Sequence, residues 1–420
     1  MSDAFSLPPQ IMRGLQLKDL GRYADAESAF KEALAQEPND AFTLHQLAAC
    51  QLYLPQRQRD ALVTIDSAIA REPNDADHHV LRSYILSTLD RPKEGLLAAR
   101  TALGLEPTHA GAFTAEAQAH LQMEQWPLAE ASARQALALD ADNSAAANQL
   151  ASALRLQNKL GENAAHLAGM LARDPEDPFT HANAGWTALQ RGQQREAEMH
   201  FREALRLDPD FESAREGLLT SFRARSRIYR AYLSYCFFMQ RLSSGSRWAV
   251  ILGLYFGVKV AGKIPGGFIL VALYMLFVLW VWVAKPVGNF FLLFDSFARY
   301  ALRPAEKREA VIVGGGLFSG LTVLVAGAGL SSEPAVMLGL GLIAASFPLS
   351  MTFTNGSRLG TWLFGTVGAI TLLGALLQLL AGRVPCIARE VATTIFNVGA
   401  GGCLISTWLG NLPALRRPVE

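Results

Sequence analysis

The chain has 420 residues, of which 50% are hydrophobic and only 18% are charged, and its formal net charge is +1. This length suggests two or more domains, and the composition excludes a disordered chain, a collagen and a coiled-coil rod. The four cysteines lie far apart in the sequence, which excludes a disulfide scaffold and a zinc site made of paired cysteines.

The charge is divided unevenly along the chain. Residues 1–222 carry 20 Lys and Arg against 31 Asp and Glu, whereas residues 223–420 carry 18 against 6. An acidic half is therefore joined to a basic, apolar half. No long apolar run follows a basic start in the first residues, so we expect no cleaved signal peptide.

A proline recurs every 34 or 35 residues in the acidic half. The series is Pro38, Pro73, Pro107, Pro175 and Pro209, with Ala141 at the position of the missing member. Small residues recur 12 positions before five of these six positions, at Ala26, Ala61, Gly95, Ala129 and Ala197. This period indicates a repeat of two amphipathic helices, in which small residues allow the helices to approach closely.

Two segments resemble the second half of the tetratricopeptide repeat (TPR) motif: GRYADAESAFKEALAQEPND at 21–40 and GQQREAEMHFREALRLDPDF at 192–211. The second repeat has one extra residue, which we place in the turn that holds Pro55. The resemblance implies an α-solenoid with an inner groove that binds a protein partner, closed by a capping helix at 212–222. Six repeats fit, at 7–40, 41–75, 76–109, 110–143, 144–177 and 178–211.

The resemblance also implies which side chains face the groove. In this family, they are the fifth and ninth residues of each first helix and others near the end of that helix. The paired Lys and Asn residues with which some members bind a terminal carboxylate are absent. We therefore expect a neutral, partly aromatic groove that suits a peptide or a helix. Packing between repeats explains Tyr84 and Trp186 equally well, but it does not explain Asn148 and Arg155. The predicted partner-binding residues are His45, Tyr53, Tyr84, Thr114, Gln118, Asn148, Arg155 and Trp186.

Residues 223–247 combine arginines with aromatic side chains directly before the first apolar run. This pattern predicts a basic juxtamembrane helix. Nucleic-acid binding is the rival interpretation, which we reject because a membrane segment follows at once. A second amphipathic helix is predicted at 287–303, lying on the membrane surface in preference to packing under the helix bundle. The predicted membrane-surface residues are Arg223, Arg225, Arg227, Arg230, Arg299 and Arg303.

Charge-free runs long enough to cross a bilayer fill the rest of the chain. A shorter run at 248–261 either spans or forms a re-entrant arm. Basic residues before the first run, in the 285–309 loop and at the C-terminus favour six spans with both termini in the cytosol. The long runs are 264–284, 310–332, 334–357, 359–382 and 391–415.

No catalytic pattern is present in the sequence. All eight histidines lie within residues 45–200, and neither HExxH nor a phosphate-binding GxxxxGK[ST] loop occurs. His78 and His79 with Asp75 and Asp77 fall at a repeat junction, where a capped turn is the ordinary explanation. We expect no metal, no cofactor and no enzymatic activity.

The sequence thus predicts an all-α protein, with a TPR α-solenoid at 7–222, a juxtamembrane helix at 223–247 and a polytopic transmembrane bundle at 248–415. This layout resembles that of uncharacterised bacterial TPR membrane proteins, which implies an inner-membrane location. The predicted function is to recruit a protein partner to the membrane through the cytosolic groove. The alternative is a transporter, channel or lipid-handling protein regulated by the array. Whether the chain forms homo- or hetero-oligomers is left open.

Overall fold

The structure, a computed structural model, describes residues 7–354, 357–381, 384 and 387–409. The chain divides into two compact units. The first contains Met1–Gly192, Glu203–Pro209 and Met239–Arg247, and the second contains Gln193–Arg202, Asp210–Phe238 and Trp248–Glu420. This division differs from the predicted boundary at residue 222, because the expected capping helix lies in the second unit.

Six helix pairs follow one another at the start of the chain, as the repeat period predicts. Their first helices are α1 (Pro9–Asp19), α3 (Ala41–Tyr53), α5 (Ala76–Thr88), α7 (Ala110–Gln122), α9 (Ser144–Leu156) and α11 (Pro178–Gln190). Their second helices are α2 (Tyr23–Gln36), α4 (Gln58–Arg71), α6 (Pro92–Leu105), α8 (Trp126–Leu139), α10 (Leu160–Arg173) and α12 (Gln194–Leu207).

Local signals set the ends of these helices. The Asp40, Asp75, Asn143 and Asp177 side chains each accept a hydrogen bond from a backbone N–H in the first turn of the next first helix. The turn within each pair contains one residue with positive φ, and these residues recur with the same period: Gly21, Gln56, Asp90, Glu124, Asn158 and Gly192. The turn after α3 is one residue longer than the next, so the extra residue lies beside Pro55 as predicted.

The core of the first unit alternates small and large side chains. Ala26, Ala61 and Ala68 are fully buried, as are Phe30 and Ile65. A Cβ atom on Gly14 of α1 would lie 2.5 Å from the Phe30 ring, so only glycine permits this approach. Because each pair buries its apolar face against its neighbours, stacking supplies the core.

The second unit begins with α13 (Glu212–Arg223) and α14 (Arg227–Arg241), the latter ending in the first unit. The remaining helices, all apolar except the short α17 and α18, are α15 (Ser244–Ala261), α16 (Phe268–Leu292), α17 (Ala298–Ala301), α18 (Pro304–Glu309), α19 (Gly315–Gly329), α20 (Glu333–Thr354), α21 (Arg358–Leu380) and α22 (Arg389–Leu409). A π-helical turn, Ala310–Gly314, joins α18 to α19.

Three helical segments of the described residues are long and apolar enough to cross a membrane: Pro304–Gly329, Glu333–Phe353 and Arg358–Leu380. A fourth span results if Phe268–Val281 and Val283–Leu292, which are bent by 54°, count as one. Pro286 explains the bend, because it removes the hydrogen bond to the carbonyl four residues earlier. The described residues thus support three or four spans, fewer than the predicted six. Residues 410–415 of the last predicted run, and the basic tail after them, lie outside the described residues.

The prediction of one amphipathic helix at 287–303 is wrong. Residues 287–292 continue α16, the chain then turns, and only the short α17 follows. The carboxylate of Asp295 accepts hydrogen bonds from the backbone N–H groups of Phe297 and Ala298, at 3.0 and 2.9 Å. This side chain competes with the helix for backbone donors and starts a new turn.

Candidate functional site

The first helices of the repeats line the inner side of the array. Each of α1, α3, α5, α7 and α9 contacts the next first helix, whereas successive second helices contact each other less. The closer spacing of the first helices places them on the inside of the curve. We call the face formed by α3, α5, α7, α9 and α11 the groove wall.

Polar side chains of the groove wall bond to each other between successive repeats. The Nδ1 atom of His45 lies 3.2 Å from that of His78 in the next repeat. The Gln118 carbonyl oxygen accepts a hydrogen bond from Gln149 at 3.3 Å. Thr114 is 1% exposed, and its hydroxyl accepts a hydrogen bond from a neighbouring asparagine. This burial argues against its predicted contact with a partner.

Asn148 also joins two repeats, contrary to the expectation that packing does not explain it. Its carbonyl oxygen accepts a hydrogen bond from Asn183 at 2.8 Å, and its amide donates to Asp177 at 3.1 Å. The amide of asparagine provides both a donor and an acceptor, so one residue bridges two partners on α11 and its cap. Its position holds the fifth repeat to the sixth.

The three predicted aromatic residues differ in exposure. Tyr53 is 65% exposed, and its ring stacks on Tyr23 with centroids 4.8 Å apart. Tyr84 is half-buried against the core of the third repeat, and burial, followed by the proximity of Tyr53, raises its pKa to about 12. Trp186 is half-buried and engaged in contacts of its own. Only Tyr53 presents a large aromatic surface to solvent.

Arg155, near the end of α9, differs from the other polar residues of the wall. It is half-buried, its Nε atom has no hydrogen-bond partner, and no carboxylate pairs with it among the described residues. Burial lowers the pKa of its guanidinium to about 10. A buried cation without a counter-charge is costly, so its presence on the wall requires an explanation.

In the second unit, Arg223 does not lie at a surface as predicted. Its side chain is fully buried, its Nη1 pairs with Glu216 at 3.0 Å, and its Nε donates to Asn289 Oδ1 at 2.9 Å. Space for its stem comes from Gly288 on α16, where a Cβ would lie 3.0 Å from Arg223 Cδ. Arg223 therefore ties α13 to the end of α16.

The other predicted membrane-surface arginines have exposed or half-exposed side chains. Arg225 pairs with Glu198 and Asp295 at 3.0 and 3.2 Å, and Arg303 pairs with Glu212 at 2.7 Å. The Arg299 guanidinium lies 4.8 Å from the centre of the Tyr300 ring, and Arg227 and Arg230 continue the basic series on α14.

Sequence reasoning missed three buried polar residues of the second unit. Asn289 is 0% exposed, Glu309 is 3% exposed, and Ser350 of α20 donates its hydroxyl to Glu309 Oε1 at 3.1 Å. Glu309 directly precedes the π-helical turn. The only available signal was its position beside a charge-free run, since burial depends on which helices meet there.

The geometry above defines a class: an α-solenoid of paired helices followed by apolar helices compatible with a membrane-embedded region. Comparison with protein-family models identifies the type of repeat. Two tetratricopeptide repeat models match, one at residues 11–46 and 114–178 and the other at 180–211. The matched segments are tetratricopeptide repeats, an architecture that binds peptide or protein partners, and neither matching model describes a catalytic family.

Several solved TPR structures are similar to the chain. A thermophilic TPR protein of Thermus thermophilus is 22% identical, with a TM-score of 0.34, and 50% of this chain and 96% of that chain are covered. PilW, a widely conserved type IV pilus biogenesis factor, is 20% identical with a TM-score of 0.43 and the same coverage. YrrB, a TPR protein with an unusual peptide-binding site, is 22% identical with a TM-score of 0.33, and 44% of this chain and 95% of that chain are covered.

A comparison with curated proteins gave no match.

Proposed function

We propose that this protein is a membrane-anchored scaffold that recruits a protein partner through the groove wall. The supporting observation is Arg155. Most other predicted polar residues of the wall are satisfied by bonds between repeats, whereas its guanidinium has no ionic partner among the described residues. A partner that pairs with it offsets the cost of its burial, which makes Arg155 the anchor of the site. The exposed Tyr53 ring, held by Tyr23, adds a rigid apolar contact.

Photo-crosslinking in living cells tests this proposal. A photoreactive residue replaces Tyr53, and the matched control replaces Val63 on the second helix α4, since the two side chains are 65% and 68% exposed. We expect one protein to be captured from position 53 and not from position 63, and Arg155→Met to abolish its capture. Equal capture from both positions, or capture indifferent to Arg155→Met, contradicts the proposal.

We also propose that the array faces the cytosol of a bacterial cell and that the apolar helices lie in its inner membrane. The exposed arginines Arg225, Arg227 and Arg299 support this orientation, because basic residues stay on the cytosolic side. Labelling of Leu20→Cys, a 73% exposed position, with a membrane-impermeant maleimide tests it. Labelling only after the inner membrane is permeabilised is expected, and labelling of intact spheroplasts contradicts it.

A second candidate function, transport or lipid handling controlled by the array, is supported by Glu309. A buried carboxylate at the end of an apolar helix, beside a π-helical turn, is a frequent feature of transport sites. Proteoliposome assays of proton flux and of phospholipid scrambling test it. Glu309→Gln should lower one of these activities, whereas the exposed Glu390→Gln should not. No activity above protein-free liposomes rejects this alternative.

A further inference from the structure

Four side chains that bind metals in proteins meet at the junction of the second and third repeats. Glu72 follows the last turn of α4, Asp75 caps α5, and His78 lies in the first turn of α5. One ligand atom from each of these three lies within 4.8 Å of the others. The fourth, His45, comes from α3 of the preceding repeat.

The two imidazole rings face each other through the same atom. Their Nδ1 atoms are 3.2 Å apart, with ring centroids at 5.1 Å and planes tilted by 37°. Asp75 Oδ1 lies 3.5 Å from the same atom of His78. Ligands bound tetrahedrally at 2.0–2.1 Å are separated from one another by about 3.3 Å. The His45–His78 and His78–Asp75 separations are close to that edge length, and Glu72 lies within 4.8 Å of Asp75 and His78.

The contacts at Nδ1 hold the His78 ring. The residue is 3% exposed, and its Nε2, which points away from the cluster, has no hydrogen-bond partner among the described residues. The ring is therefore oriented by His45 and Asp75. His79 serves as a contrast, because its Nε2 lies 2.9 Å from the carbonyl oxygen of Pro73 and is thereby accounted for.

The charges around the cluster suit a cation. Glu72 and Asp75 supply two carboxylates, whose negative charge balances that of a bound divalent cation. Asp77 also faces His45, although its carboxylate contacts His109 at 2.9 Å. The nearby cation is Lys18 of α1, whose ammonium donates to Gln46 at 2.6 Å.

We propose that His45, His78, Asp75 and Glu72 bind one divalent transition-metal ion of the zinc class, which ties α3 to α5. Two imidazoles with carboxylates favour zinc, cobalt or nickel over magnesium and calcium. The site is independent of partner recruitment and of the membrane helices. It departs from the expectation of no metal, which was drawn from His78 and His79 with Asp75 and Asp77 and not from His45, a residue that only the fold brings to His78.

The test uses the full-length protein in detergent, freed of metal with a chelator and titrated with CoCl₂. Tetrahedral Co²⁺ absorbs visible light, so the spectrum reports both stoichiometry and geometry. ZnCl₂ is then added to displace the cobalt, and MgCl₂ serves as the negative control, since Mg²⁺ should not bind. The variants are His45→Ala, His78→Ala and Asp75→Asn, with His79→Ala as the matched control. Asparagine at position 75 retains the helix cap while removing the charge.

We expect one equivalent of tetrahedral cobalt, displaced by zinc and unaffected by magnesium. His45→Ala and His78→Ala should weaken binding at least about tenfold, Asp75→Asn by a smaller factor, and His79→Ala not at all. If His78→Ala loses helicity by circular dichroism, the half-buried His45→Ala decides the question. No saturable binding, or equal binding by His45→Ala and His79→Ala, overturns the proposal and leaves an N–H···N hydrogen bond between the rings.

Discussion

Arg155 provides the most direct test of whether the groove wall is shaped by stability or by binding. At neutral pH its guanidinium is charged in the folded and the unfolded chain, so only the folded chain bears the cost of burying it. Burial lowers its pKa from 12.5 to about 10. Each tenfold change in a protonation constant corresponds to about 1.4 kcal/mol, which sets an upper limit of about 3 kcal/mol. Solvent screens a half-buried side chain, so we expect Arg155→Met to stabilise the array by about 1–2 kcal/mol.

The assay is a urea titration of the full-length protein in detergent, followed by far-ultraviolet circular dichroism. Methionine keeps the apolar stem and removes the charge. Arg155→Lys keeps the charge and should therefore not stabilise the array. The same Arg155→Met protein should lose its partner in the crosslinking experiment. A lower midpoint for Arg155→Met than for the wild type would refute the reasoning, because it would show that the guanidinium supports the fold.

Three further predictions concern stability. Gly14→Ala should destabilise the first unit by about 1–3 kcal/mol, because its Cβ would lie 2.5 Å from the Phe30 ring, whereas Gly104→Ala, with no atom within 4 Å, should stabilise it by about 0.5–1 kcal/mol. Urea titration measures both stabilities, and similar shifts of the unfolding midpoint for the two variants would contradict the packing argument. Arg223→Met should cost the second unit about 2–4 kcal/mol, because a buried amide oxygen loses its donor; an unchanged thermal midpoint in detergent would count against this. His120, whose Nε2 lies 3.7 Å from the Glu116 carboxylate, and hydrogen bonds from Arg100 and Ser132 lower the pKa of Glu116 from 4.5 to about 2. The wild type should therefore lose stability relative to Glu116→Gln as pH falls from about 4.5 to about 2. Parallel pH profiles would show that these contacts contribute nothing.

Features that repeat along the chain were predictable from the sequence. The proline period and the small residues located the helix pairs, and Ala26 and Ala61 are fully buried between them. The extra residue beside Pro55 was also placed correctly. These features depend on local periodicity, which each repeat displays independently.

Features that depend on neighbours were not predictable in the same way. Asn148 was predicted to bind a partner, and its hydrogen bonds to the next repeat are visible only in the tertiary structure. The end of α16 at Leu292 depends on a side chain three residues later, which competes for backbone donors. The sequence does not indicate whether a polar residue will bond to solvent, to another protein or to the adjoining helix.

The sequence by itself determined the repeat architecture, the apolar second half and the division of charge, because helix period, composition and hydropathy are properties of neighbouring residues. Only the tertiary structure decided which polar groups are satisfied within the chain. It buried Arg223 against Asn289, 66 positions away, and brought His45 to His78 across a repeat boundary. The physical reason is that hydrogen bonds and ligand sets form between residues that packing brings together, and packing joins residues far apart in the chain.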